Sequence, residues 1–248
     1  NHPILGAADH GTWQGDLVFD GARFFEGTTP DLDLHCARVN ASAKTMHLNP
    51  GVPAEQWIEL TREGMKRFAP DTALYVRPMV WAERAGPQAL PPDPESARWC
   101  LAVYDTPMRK PEGFSVTLSP YRRPTIETAP VDAKAGCLYP NNARAMLEAR
   151  TRGFDNCLVC DMLGNIAELA NSNVFMAKDG VVFTPMPNGA FLNGITRQRV
   201  IKLLRADGVS VVESTLRYSD FETADEIFAS GNASKVMPIT RIGDRALQ

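Results

Sequence analysis

Lys134 sits in the small-residue loop "DAKAG", just ahead of a segment with helical spacing, where it has little aliphatic surface to lie along. It is either an ordinary solvated charge or an amine positioned for chemistry. Glu168 lies in "GNIAELANSNVF", an apolar stretch, where a carboxylate is either a cross-strand charge or a semi-buried group that needs a cationic partner. "LNGITRQRV" enters a helix at Gly194. The free backbone N–H groups of Ile195 and Thr196 there, with the Thr196 hydroxyl, suit a phosphate as well as they suit a plain capped helix. "FASGNASKV" is a small polar turn between two strand-like runs and offers donors to an anion, or is an ordinary loop. Arg38, in "LHCARVNASAK", reads as a helical surface residue unless something anionic meets it.

Five cysteines are present, an odd number in a chain of 248 residues, so a disulfide framework is not expected. Cys157 and Cys160 form a CxxC, but "NCLVCD" reads as a buried strand, which turns residues three apart to opposite faces. No second CxxC or histidine pair completes a zinc site, so no metal is expected and the cysteines suit a reducing cytoplasm. A net charge of −3 argues against nucleic acid as the main partner. No apolar run approaches the roughly 20 residues of a membrane helix, and no signal-peptide pattern is seen. The first residue is Asn1 and the last Gln248, so truncation at both ends is expected.

These residues need elements to hold them. Residues 14–26 read as a hairpin turning at Asp20-Gly21. Helices are expected over 31–48 and about 54–68, strands over 72–82 and 99–107, and a Pro/Gly-rich loop over 83–96. Residues 1–107 thus form a small α+β unit, with 108–113 as linker and 114–248 as a larger domain. The latter starts with a strand, then the Lys134 loop, a helix over about 141–152, and a meander over 157–185 with turns at Leu163-Gly164 and Asp179-Gly180. A helix ending at Gly208 follows, then two strands around a Gly-Asn turn. The fold class is α+β without regular βαβ alternation.

The order and spacing of "AKAG…Y", "GNIAE…NVF", "GITR..VI.L" and "ADEIF.SG" resemble the class IV, or fold type IV, pyridoxal-phosphate aminotransferases, with the branched-chain amino acid aminotransferases nearest. The resemblance spans nearly the whole chain, including "LVFDGARFFEG". It implies two α/β domains with the cofactor site between them, and a homodimer. By resemblance Lys134 forms the Schiff base with pyridoxal 5'-phosphate, a role that needs a lowered amine pKa. Glu168 faces the pyridine nitrogen, Tyr139 the ring 3-oxygen, and Leu192 the ring face. Arg38, Ile195, Thr196 and Asn232 hold the phosphate. Tyr75, Arg77 and Ala233 shape the substrate pocket, with Arg77 available to a carboxylate; Phe19, Phe24 and Phe25 suit an apolar pocket or simply the core. The chain departs from the family at Cys137-Leu138 (commonly Gly-Asn), at Asn232 (commonly Thr) and at Ser172 (often Glu). The implied reaction moves an amino group from a branched-chain L-amino acid to 2-oxoglutarate. The same fold serves D-amino acid and (R)-amine transaminases and aminodeoxychorismate lyase.

Overall fold

A computed structural model describes residues 3–247. Asn1, His2 and Gln248, at the outer ends of the two expected domains, lie outside them. The chain divides into two compact units. One comprises the residues up to Met108 together with Asp132–Leu138; the other comprises Arg109–Val131 and the residues from Tyr139 onward. The return of 132–138 to the first unit was not part of the sequence expectation.

The first unit holds α1 (His10–Trp13), β1 (Val18–Phe19), β2 (Ala22–Phe24), α2 (Leu32–Thr45), α3 (Ala54–Met65), β3 (Leu74–Ala82) and β4 (Ala97–Asp105). The expected hairpin at Asp20-Gly21 is not formed. β1 and β2 both run antiparallel to β3 in a single register, Val18 opposite Val80 and Ala22 opposite Val76, so they are one interrupted edge strand. The Asp20 N–H still donates to the Pro78 carbonyl at 3.0 Å. What defeats the turn is the Asp20 side chain, which is fully buried and held by α2, its Oδ1 also accepting from the Gly21 N–H at 2.7 Å. β4 pairs along the other side of β3. Val76 and Val80 alternate into a core with Val39, Ala43 and Trp57 from the helices, each buried valine contributing about 1.5–3 kcal/mol. Residues 83–96, expected as loop, contain two single-turn 3-10 segments and an isolated bridge between Ala85 and Pro92.

The second unit holds β5 (Phe114–Arg122), α4 (Tyr139–Thr151), β6 (Asn156–Cys160), β7 (Ile166–Leu169), β8 (Asn173–Lys178), β9 (Val181–Pro185), α5 (Ile195–Ala206), β10 (Val211–Ser214), α6 (Tyr218–Glu222), β11 (Glu226–Gly231), β12 (Lys235–Ile242) and β13 (Arg245–Ala246). The strand order is β10-β9-β8-β11-β12-β5-β6-β7, with β13 on β12. The expected meander is broken. β6 pairs β7 and β8 pairs β9, but β8 takes β11 as its other neighbour while β7 ends the sheet path. Asp179 and Gly180 both have positive φ and make the tight turn the sequence indicated. Three pairs are parallel, and two of them, β5/β6 and β9/β10, are bridged by α4 and α5. Cys157 and Cys160 are unpaired thiols packed in two different core clusters, on opposite faces of β6 as expected.

Candidate functional site

In the first unit the Lys134 loop is an added strand-like segment. The Phe19 N–H donates to the Lys134 carbonyl at 3.1 Å and the Gly136 N–H to the Leu17 carbonyl at 2.8 Å. The Lys134 N–H donates to Ser42 Oγ of α2 at 3.0 Å. Ala133 and Ala135 are buried in the core cluster with β1 and α2, which explains the small residues on either side of the lysine. Period-two alternation then turns Lys134 the other way. Its Nζ stands 5.1 Å from the centroid of the Phe19 ring.

That face of the sheet carries more. Phe19 lies opposite Met79, two residues from Arg77 and four from Tyr75 along β3. Arg23, Tyr75 and Tyr104 form a cross-strand row. The two tyrosine rings stack at 5.6 Å, and the Arg77 guanidinium lies 5.1 and 5.3 Å from their centroids. Arg77 Nε and Arg23 Nη1 are buried without a hydrogen-bond partner. Arg23 is fully buried, donating to the Thr106 carbonyl at 2.5 Å and lying against Met108 Sδ. Desolvation lowers its pKa, and the structure offers no carboxylate to it among the described residues. Gly21 must stay small here, since a Cβ would come within 2.2 Å of the Tyr75 hydroxyl. The structure thus brings Lys134, Tyr75 and Arg77 to one sheet face and adds Arg23 and Tyr104, neither of which has a local sequence signature. Phe24 and Phe25 are half-buried.

Arg38 emerges from α2. Its Nε and Nη2 donate to the two Asp20 oxygens at 2.6 and 2.9 Å, and His35 Nδ1 lies 2.7 Å from Asp20 Oδ1. Burial would raise the Asp20 carboxyl, but Arg38 and His35 outweigh it and hold it down at about 2. The surface arginine read from the sequence is therefore a clamped one.

In the second unit, Asn173 is a hub that the sequence did not single out. Its Nδ2 donates to the Leu192 carbonyl at 3.1 Å and approaches Glu168 Oε2 at 3.4 Å. Asn173 pairs across the sheet with Ser230, the residue before Gly231-Asn232. A Cβ on Gly194 would fall 2.2 Å from Asn173 Oδ1, so the start of α5 abuts the same side chain. One asparagine thereby gathers Glu168, Leu192, the Ile195-Thr196 helix start and the Ser230–Ala233 turn. α5 opens from Gly194 with no side-chain cap, and its first intrahelical bond is made by the Gln198 N–H. Beside it, Ser230 Oγ and Asn232 Nδ2 are buried polar atoms without a partner, a costly state that an anion would relieve. Ala233 is exposed at the turn, and Asn232 Oδ1 accepts from Lys235 Nζ at 2.9 Å.

Glu168 is buried on β7, with Arg123 Nε 3.2 Å from its Oε1. This is the cation that the apolar setting of Glu168 called for. Tyr139 is the first residue of α4, partly exposed, and follows the Lys134 loop directly in the chain. No cluster of metal-ligating side chains occurs among the described residues, and no helix is long and apolar enough to cross a membrane.

Comparison with known proteins identifies the family. The branched-chain-amino-acid aminotransferase of Salmonella typhimurium is 30% identical over 242 residues, spanning 94% of this chain and 78% of that protein. The crystal structure of an aminotransferase from Brucella abortus, bound to the cofactor PLP, matches with 56% identity and a TM-score of 0.99, covering all of this chain and 89% of that one. The Escherichia coli branched-chain amino acid aminotransferase structure matches at 27% identity and a TM-score of 0.91, over 98% of this chain and 83% of that one. A family model, amino-transferase class IV, matches residues 17–242, and the chain belongs to that family.

Proposed function

We propose that the protein is a pyridoxal 5'-phosphate-dependent transaminase that moves the amino group of a branched-chain L-amino acid to 2-oxoglutarate. The residues present fit the cofactor. An uncapped helix start, the orphaned Ser230 hydroxyl and the orphaned Asn232 amide form a ready anion site, and the buried Glu168 carboxylate lies 3.4 Å from the Asn173 amide. Bound pyridoxal phosphate supplies an electron-accepting ring that stabilises negative charge at the substrate α-carbon.

The chain's own residues have these roles in our reading. Lys134 carries the cofactor covalently and, once released, moves the proton at the substrate α-carbon. Glu168 holds a proton at the pyridine nitrogen, and Tyr139 donates to the ring 3-oxygen. Leu192 packs on the ring face. Arg38, Ile195, Thr196 and Asn232 hold the phosphate, Arg38 as a positive charge whose fork is anchored on Asp20 and the others as donors at the helix start and turn. Tyr75, Arg77 and Ala233 border the substrate. We further read the protein as a homodimer working in the cytoplasm, where its five free thiols stay reduced.

The observation that carries the substrate reading is the first unit's sheet face. Two arginines without an acidic partner among the described residues flank a stacked tyrosine pair beside Phe19. That surface offers apolar contact to an aliphatic side chain and a cation to the distal carboxylate of 2-oxoglutarate. The experiment is a donor–acceptor screen. L-Leucine, L-isoleucine or L-valine with 2-oxoglutarate should outperform D-alanine and (R)-1-phenylethylamine with pyruvate. Arg77→Ala should lose activity mainly with the dicarboxylic partner. Faster turnover of the (R)-amine, or pyruvate release from aminodeoxychorismate, would replace this reading.

A further inference from the structure

We infer that Arg123 is a positioning residue that fixes Glu168 and the start of α4 together; the inference rests on the pyridoxal-phosphate reading above. Arg123 is buried, with 4% of its side chain exposed against 10% for Glu168. Its Nε lies 3.2 Å from Glu168 Oε1 and donates to the Ala190 carbonyl at 3.0 Å, two residues before Leu192. Its Nη1 donates to Asn142 Oδ1 at 2.5 Å, in the first turn of the helix that Tyr139 opens. One planar guanidinium therefore reaches three segments, each carrying a residue assigned to the cofactor ring: Glu168, Leu192 and Tyr139. The adjacent Arg122 goes elsewhere, donating to the Asp161 carbonyl.

The physical need is specific. A carboxylate buried on an all-buried strand is driven towards its neutral form unless a cation touches it. A neutral Glu168 would offer a hydroxyl where a carboxylate is required to hold a proton on a ring nitrogen. Arg123 supplies that cation on Oε1 and fixes the rotamer of the other oxygen. Lysine would keep the charge but not the fork, because an ammonium has no fixed plane with which to hold Ala190, Asn142 and Glu168 at once.

The test measures pyridoxal phosphate affinity and the visible absorption band of the bound cofactor in the wild type, Arg123→Gln, Arg123→Lys, Glu168→Gln, the two Arg123/Glu168 double variants and Arg122→Gln. Arg123→Gln should weaken binding about tenfold to a hundredfold and change the band in the same sense as Glu168→Gln. The double variants should lose less than the sum of the two single losses, since Arg123 acts in part through Glu168. Arg123→Lys should restore part of the band, and Arg122→Gln should match the wild type. If Arg123→Gln does not fold, the lysine pair carries the same comparison. Additive losses, or a lowered melting temperature with an unaltered band, overturn this inference alone. A wild-type protein that binds no pyridoxal phosphate overturns the proposed function with it.

Discussion

Lys134 is aimed by backbone pairing. Its neighbours Ala133 and Ala135 fill the core, its carbonyl accepts from Phe19, and its side chain is left on the face that carries Tyr75 and Arg77. Borohydride treatment of the cofactor-loaded protein should therefore fix the cofactor on Lys134, and Lys134→Ala should lose both the adduct and nearly all turnover. A peptide map showing the adduct on another lysine refutes the assignment. Asp20 gives a prediction of a different kind. Its carboxyl is lowered from 3.8 to about 2 by Arg38 and His35 despite burial. A carboxyl lowered on folding lends stability that is present above its unfolded value and lost as pH falls through the folded one, here about 2 kcal/mol between roughly pH 4 and pH 2. Asp20→Asn should cost about 2–4 kcal/mol at pH 7, because Arg38 is left without its counter-charge. Denaturant melts should show that gap narrowing at about pH 3 and below. A gap independent of pH sinks the argument.

At the scale of elements, the start of α5 and the Ser230–Asn232 turn become neighbours only because β8 carries Asn173 between them. Gly194 has ordinary φ, so alanine there is strained by contact alone. The added methyl meets Asn173 Oδ1 and must push it off Leu192 and Glu168. Gly194→Ala should lower stability by about 1–3 kcal/mol and weaken pyridoxal phosphate binding; unchanged melting and unchanged affinity refute the hub. α2 presents Arg38 differently, from a helix pinned to β1 through Asp20. Arg38→Ala should weaken binding of pyridoxal phosphate far more than of unphosphorylated pyridoxal. Arg62→Ala and Arg84→Ala should change neither ratio, and equal effects at all three arginines would remove Arg38 from the phosphate role.

For the whole molecule, two units assembled from non-contiguous chain bury most of the nucleophilic sulfur. Burial pushes the Cys36 thiol up to about 12 and the Cys157 thiol to about 11, Asp20 and Asp33 adding to the first. Cys137 is exposed. A thiol reagent at pH 8 should label Cys137 first, with Cys36 and Cys157 reacting only after unfolding; early loss of Cys157 would show that β6 opens far more readily than its burial implies. The buried thiols of Cys36, Cys157 and Cys160 thus act as small apolar residues.

The sequence alone determined the elements with strong local signals. Leu74–Ala82 alternates, α5 carries an apolar stripe and stops before Gly208, and Asp179-Gly180 can only be a tight turn. Motif order also made the family legible, because the segments around Lys134, Glu168 and the Gly194 helix start are each locally distinctive. The failures have one cause. At Asp20-Gly21 the local turn signal lost to a buried ion pair with α2, and in the meander β8 exchanged its chain neighbour for β11. Arg23, Arg123, Asn173 and Ser230 have no local signature; each matters for what lies opposite it across a strand or loop. Pairing register and burial are properties of distant segments meeting, so only the tertiary structure could decide which arginine is paired, which hydroxyl is stranded, and which face carries Lys134.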